Sequence, residues 1–396
     1  MRNFLLLLLG FLFACSQPEP ELHEIEWLDL PTIGNNGLPY LETGLDGVLR
    51  CSWVETSGDT ATLKFSTFQN EQWTTPEKVA SGTNWFVNWA DYPKISASEN
   101  VMIAHYLQKS APDTYAYDVK VKVRNSSGWS EPFKVHDDST ETEHGFVSII
   151  PQAGDQFRLV WLDGRNTTGA HEGAMTLRTA MIDHSGNVSE RTRLDERVCD
   201  CCATAAVATT NGPIVAYRDR SPDEIRDISL VQLMESSELG WVYNESISMD
   251  NWEIAGCPVN GPSIDANGNL VALGWFTGAQ NKPRVQLAIS SNGGTSFETP
   301  ILIDSKEPFG RVAVNLLSED LIGVTWLARN GEEGLIKLKI INKSGMVLKE
   351  MVITKTSGAR LSGFPQMAVQ NDYLYFANTQ PGSEALNVQV GRLKYK

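Results

Sequence analysis

The sequence predicts an all-β protein, a β-propeller of four-stranded blades. Three observations carry that prediction. Long helical periodicity is missing, and short alternating segments such as DVKVKV (118–123), RVQLAI (284–289) and LIKLKI (335–340) recur between Gly, Asn, Asp and Ser turns. Strand starts repeat at Pro39, Pro93, Phe146, Ala203, Pro262, Arg311 and Pro365, 49 to 59 residues apart. Each is followed 11 to 15 residues later by an aromatic that closes a second strand: Trp53, Tyr106, Trp161, Tyr217, Trp275, Trp326 and Phe376. A strand-built period of about 50 residues is what one blade per repeat produces.

Seven repeats favour seven blades; six blades with a terminal repeat outside the ring is the alternative. Each repeat reads as strands A to D, from the axis outward. The fifth is clearest, with A over 262–266, B over 270–276, C over 284–290 and D over 298–303. The last repeat reaches Lys396 after three strands. Its fourth is expected at 22–30 (LHEIEWLDL), which closes the ring and removes an exposed sheet edge. No linker or shift of composition divides 22–396, so a single propeller domain is expected there.

The first residues read as an export signal. Met1-Arg2-Asn3 is a short basic start, 4–13 is apolar, and Leu12-Phe13-Ala14-Cys15 has the form of a lipobox. The apolar run is too short to cross a bilayer core of about 30 Å as a helix. The expectation is a signal peptide over 1–14, lipidation of Cys15 and a tether over 15–21. Ser16 after the cysteine resembles outer-membrane sorting of bacterial lipoproteins, which places the chain in the cell envelope, held to the membrane by its lipid alone. The chain carries 48 acidic against 33 basic residues, a net charge of −15. That surface excludes a nucleic-acid partner, which requires a basic face.

Between strands C and D of the fifth repeat lies Ser290-Ser291-Asn292-Gly293-Gly294-Thr295-Ser296-Phe297. It resembles the Asp box S-x-D-x-G-x-[ST]-[WF] of sialidase-like (BNR) propellers, with Asn292 and Phe297 in the Asp and Trp places. Weaker forms stand at 125–129, 342–345 and 238–241. The resemblance implies the propeller fold and a glycan ligand, with an exo-sialidase-like glycosidase as the expected enzyme class and a polysaccharide lyase as the lesser one. It does not supply an active site. The Arg-Ile-Pro motif of that family is absent from this sequence, and the family's rings usually have six blades.

In a propeller the D-to-A and B-to-C connections share one face. Here that face collects the unusual residues, and ligand sites sit on loops held by a rigid scaffold. Arg165, Arg218, Arg220, Arg226 and Arg311 are candidates for gripping a carboxylate-bearing sugar, because guanidinium groups bind carboxylates bidentately. Self-satisfied ion pairing within RDRSPDEIRD (218–227) is the competing reading. Trp252 is a candidate sugar platform. Glycosidases need a carboxyl pair, and Asp219, Glu224 and Asp163 are candidates, with His144 and His171 as candidate bases. Asp91, Glu143 and Asp250 are also placed to contribute.

Cys199, Cys201 and Cys202 cluster ahead of the fourth repeat, and Cys257 follows in the next. An oxidising compartment favours a disulfide from Cys257 to one of the three. A thiolate metal site is the alternative, although the spacing is not that of two paired zinc motifs. No other cofactor is expected. Three functions follow: an acidic-glycan propeller that binds or hydrolyses its ligand, a non-enzymatic glycan- or protein-binding propeller, and a thiolate metal protein.

Overall fold

The computed structural model describes residues 24–167, 173–234, 240–244 and 247–396. The lipobox with Cys15, Leu22, His23, His171, and the Glu238-Leu239 part of a weak box lie outside them. Among the described residues the strands form seven antiparallel sheets. Their inner strands are Asn35–Thr43, Lys94–Ala97, His144–Gln152, Ala205–Val207, Ser263–Asn267, Gly310–Leu316 and Gln366–Gln370. Each meets the next around the axis, and the first meets the seventh. Seven of seven predicted starts fall within a few residues of an observed inner strand.

The ring closes as the pattern required. Glu26–Leu28 pairs antiparallel with Leu386–Lys394, placing Glu26 opposite Arg392 and Leu28 opposite Val390. Arg392 Nε donates to Glu26 Oε2 at 2.7 Å across that seam. Velcro of this kind leaves the outer edge of the seventh sheet covered by the start of the chain.

The seven repeated aromatics are all buried, with Trp53, Trp275 and Trp326 at 0% exposure. Several are latched to a carboxylate from the neighbouring blade. Tyr217 donates to Asp195 Oδ2 (2.6 Å), Trp275 to Asp250 Oδ2 (2.9 Å) and Trp326 to Asp304 Oδ2 (2.6 Å). Asp195 and Asp304 stand on the outer strands of the preceding blades, so one hydrogen bond ties each pair of blades while satisfying a buried donor. Asp250 is also held by Arg284 and Gln286, both at 2.9 Å.

The box at 290–297 forms the expected turn. Gly294 N–H donates to Ser290 Oγ (3.0 Å), and Asn292 Oδ1 accepts from Ser296 N–H (3.0 Å). Phe297 packs against the cluster containing Ile214 and Trp275. Asn211 of the neighbouring A–B turn donates to Asn292 O, so the box lies on the face opposite the long loops.

The axis is a channel of about 1240 Å³ lined by all seven inner strands. Its lining reaches Leu45, Asn267 and Asp320 in the short A–B turns, and Lys396 after the strand Leu386–Lys394. At the other end Trp89 stacks on Phe364 at 5.7 Å, and the Arg311 guanidinium lies 4.9 Å from the Trp89 ring. Ala203, Phe146 and Val259 pack into the same cluster. These residues gather at the loop-rich end of the channel.

Candidate functional site

On the loop-rich face a carboxyl pair forms around one phenol. Asp91 ends the loop before the second inner strand, Tyr117 begins the strand Tyr117–Asn125, and Glu143 precedes His144–Gln152. Tyr117 Oη lies 3.0 Å from Asp91 Oδ2 and 2.6 Å from Glu143 Oε1. A phenol has one proton, so it donates to only one carboxylate. The second contact is a hydrogen bond only when that carboxyl carries its own proton. Burial agrees, raising Asp91 to about 7 and Glu143 to about 8. The Phe146 N–H donates to Asp91 Oδ1 at 2.8 Å. Gly145 permits the approach, because a Cβ there would stand 1.9 Å from Asp91 Oδ2.

Asp91 and Tyr117 are buried, and Phe86 stacks on the Tyr117 ring at 4.1 Å. Glu143 alone of the three keeps solvent contact. Its remaining charged neighbour is Asp200, whose charge adds to the upward push. Asp200 accepts from Arg220 Nη1 at 3.0 and 3.2 Å and lies 3.8 Å from Arg226 Nη1. Arg220 Nη2 and Arg226 Nη2 also hold Glu224, at 2.6 and 2.7 Å. Those two arginines bring the Glu224 carboxyl down to about 2. The result is one carboxyl kept neutral beside one carboxylate fixed by arginines, with Glu143, Asp200, Arg220 and Glu224 all reachable from solvent.

The other predicted residues divide by burial. Arg218 is 1% exposed, and its guanidinium donates to the carbonyls of Asn260, Arg226 and Phe276 while lying 4.9 Å over the Trp252 ring. Trp252 is itself buried against Phe276. Arg311 donates to Ser362 Oγ, Gly363 O and Ala359 O, and burial brings it down to about 10. These three hold loops together rather than facing solvent. Asp219 is half-buried, raised to about 6 by burial and by Asp195.

Asp163 and His144 belong to a separate knot on the third blade, and both are 0% exposed. Arg165 holds Asp163 (2.7 Å), Asp137 (2.9 Å) and Asp138 (3.0 Å). His144 and His136 stack at 3.8 Å, nearly parallel at 8°, and both contact Asp138 Oδ2. Each ring would need a shared ion in its own plane, which parallel rings forbid. The cations of this knot are Arg165 and, 3.7 Å from Asp163, Arg178. Burial and His136 lower His144 further.

Cys201 and Cys257 form a disulfide; Cys199 and Cys202 are free and buried, as is Cys51 on the first blade's B strand. Burial works against a Cys199 thiolate, but Cys202, the Cys201 backbone, Arg218 and Arg226 outweigh it and lower the thiol below its ordinary value.

Sequence reasoning marked Asp91 and Glu143 as loop carboxylates but missed Tyr117 and Asp200. Tyr117 reads as one more apolar position of a strand. Asp200 is enclosed by cysteines that drew the reading elsewhere; it stands in the D-to-A connection that shares a face with the arginine-rich B–C loop after Arg218.

No family model matches the sequence, and no curated protein matches it. Solved structures similar to this chain include an α-L-arabinanase of Penicillium chrysogenum in complex with arabinobiose, at TM-score 0.50 and 10% identity over 96% of this chain and 99% of that one. The polysaccharide lyase Uly1 is similar at TM-score 0.52 and 8% identity, covering 90% and 89%. The NanB sialidase from Streptococcus pneumoniae, as its K499G mutant, covers 93% and 70% at TM-score 0.46 and 10% identity. At these identities the likeness to the arabinanase and the lyase bears on the propeller fold alone.

Proposed function

We propose that this chain is a cell-envelope lipoprotein, anchored through Cys15, whose propeller binds and hydrolyses an acidic glycan on its loop-rich face. One observation carries the reading: the Glu143 carboxyl, 2.6 Å from Tyr117 Oη and raised to about 8 chiefly by burial, is near enough to feel the charge of Asp200, which Arg220 Nη1 holds at 3.0 Å. Glycoside hydrolysis uses such a pair, one as proton donor to the leaving oxygen and one as nucleophile or base. Glu143 is the donor; burial and the charge of Asp91 favour its protonated form, against the Tyr117 hydrogen bond, which favours the charged one. Asp200 is the carboxylate partner. Arg220, which holds Asp200 and keeps an exposed edge, is the predicted arginine at this pair, so recognition of a sugar carboxylate falls to it. Solved propellers of similar fold include an arabinanase and a polysaccharide lyase, which supports the glycan class but names no sugar.

The test is product release from sialylated, uronate-containing and neutral glycans, with binding measured in parallel. Release from acidic glycans, lost in Glu143→Gln, supports the proposal; neither release nor binding ends it. A second reading is a glycan-binding propeller without catalysis, favoured by the stacked Trp89 and Phe364 rings on the loop-rich face. It predicts binding without release, weakened by Arg220→Ala and untouched by Glu143→Gln. Incorporation of radiolabelled palmitate, abolished by Cys15→Ala, tests the anchor.

A further inference from the structure

Cys199 and Cys202 are not used by the proposed glycan chemistry, and the disulfide does not include them. We propose that they form a two-thiolate site for a soft monovalent cation of the copper(I) class, with the Cys201–Cys257 disulfide intact.

The sulfur atoms of Cys199, Cys201 and Cys202 all lie within 4.8 Å of one another. Thiolate–metal bonds of ~2.3 Å place two sulfurs between ~3.8 Å apart in a tetrahedral site and ~4.6 Å apart in a linear one. The 4.8 Å limit on their separation admits both spacings. No histidine or carboxylate joins the sulfur group among the described residues. With Cys201 in the disulfide, two ligands remain. Zinc requires four, whereas thiolate softness selects copper(I).

Charge balance points the same way. Arg218 is a buried cation whose hydrogen bonds all go to backbone carbonyls, and among the described residues no carboxylate pairs with it. A buried charge left without a partner is costly. Two thiolates around a monovalent cation carry one net negative charge, which matches Arg218. Arg226 is already paired with Glu224, and its Nη1 reaches Cys199 Sγ at 3.5 Å. An N–H donor to a ligand sulfur is a common outer-shell contact at thiolate metal sites. Both cysteines are at most 1% exposed, which shields a bound ion from oxidants.

The experiment uses the detergent-solubilised full chain, purified without reductant and titrated anaerobically with copper(I) against a chromophoric copper(I) chelator. One equivalent is expected, lost in Cys199→Ser and in Cys202→Ser and retained in Cys51→Ser. X-ray absorption at the copper edge of the wild-type protein reads the ligands without any variant, and two sulfurs at one distance are expected. Three results overturn the proposal: no copper uptake, uptake unchanged in both serine variants, or nitrogen or oxygen ligands at the copper. Uptake that begins only after the disulfide is reduced also overturns it, and assigns a four-cysteine site instead.

Discussion

Replacing Asp91 by Asn should make the protein more stable at alkaline pH. Asp91 is 2% exposed, and its folded value of about 7 lies well above the ordinary 3.8, first because of burial. A carboxyl raised in the folded state contributes stability that is complete below its unfolded value and is lost as pH rises through its folded value. The wild type should therefore weaken between pH ~4 and ~7. The span from 3.8 to about 7 is worth up to ~4 kcal/mol at ~1.36 kcal/mol per pH unit. The groups around Asp91 are Tyr117, Glu143, Tyr92 and Lys94; sharing a proton with Glu143 through Tyr117 reduces the expected loss to ~2–4 kcal/mol. The side-chain amide of Asp91→Asn preserves the local hydrogen bonds. Its oxygen still accepts the Phe146 N–H, and its NH₂ donates to the Tyr117 oxygen while Tyr117 donates to Glu143. Urea unfolding at pH 4.5, 6, 7 and 8 reads the difference. Asp91→Asn should match the wild type at the acidic end and exceed it by about 2–4 kcal/mol at pH 8. Parallel stability curves for the two proteins would refute the shared-proton geometry.

Gly145→Ala places a methyl 1.9 Å from Asp91 Oδ2 and 2.9 Å from the Tyr117 ring; a loss of about 1–3 kcal/mol in denaturant unfolding is expected. Asp304→Ala strands the buried Trp326 indole N–H and should lose about 1–3 kcal/mol, visible also as a lower Tm. The double variant Cys201→Ser/Cys257→Ser opens a link across 56 residues of sequence and should lose up to about 4 kcal/mol of thermal or denaturant stability.

The ring was legible because its signals are local and repeated. An aromatic that closes every B strand, and a leftover first strand for an incomplete last blade, need no long-range contact to be seen. The charged loop was legible as a group but not residue by residue. Its ten residues alternate in sign, and nothing in that alternation distinguishes Arg218, which turns inward onto three carbonyls, from Arg220, which turns outward to Asp200 and Glu224. The inter-blade latches were invisible for a related reason. Asp195 and Tyr217 stand 22 residues apart, on strands whose relative height is set only when the ring closes. The Tyr117 pair joins three chain segments; Asp91 and Glu143 were legible as loop carboxylates, but nothing in the sequence showed that Tyr117 brings them together. The cysteines pointed to a staple, and Cys201–Cys257 is one; that Cys199 and Cys202 stand behind it as free thiols required the fold.

The most direct test of the proposed chemistry is the pH dependence of kcat/KM on a cleaved acidic glycan. A proton donor at Glu143 predicts an alkaline limb near pH 8, where the carboxyl loses its proton. In Glu143→Gln that limb should disappear together with most of the activity, while glycan binding persists. An unchanged rate and an unchanged alkaline limb in Glu143→Gln would contradict the assignment of this carboxyl as the acid.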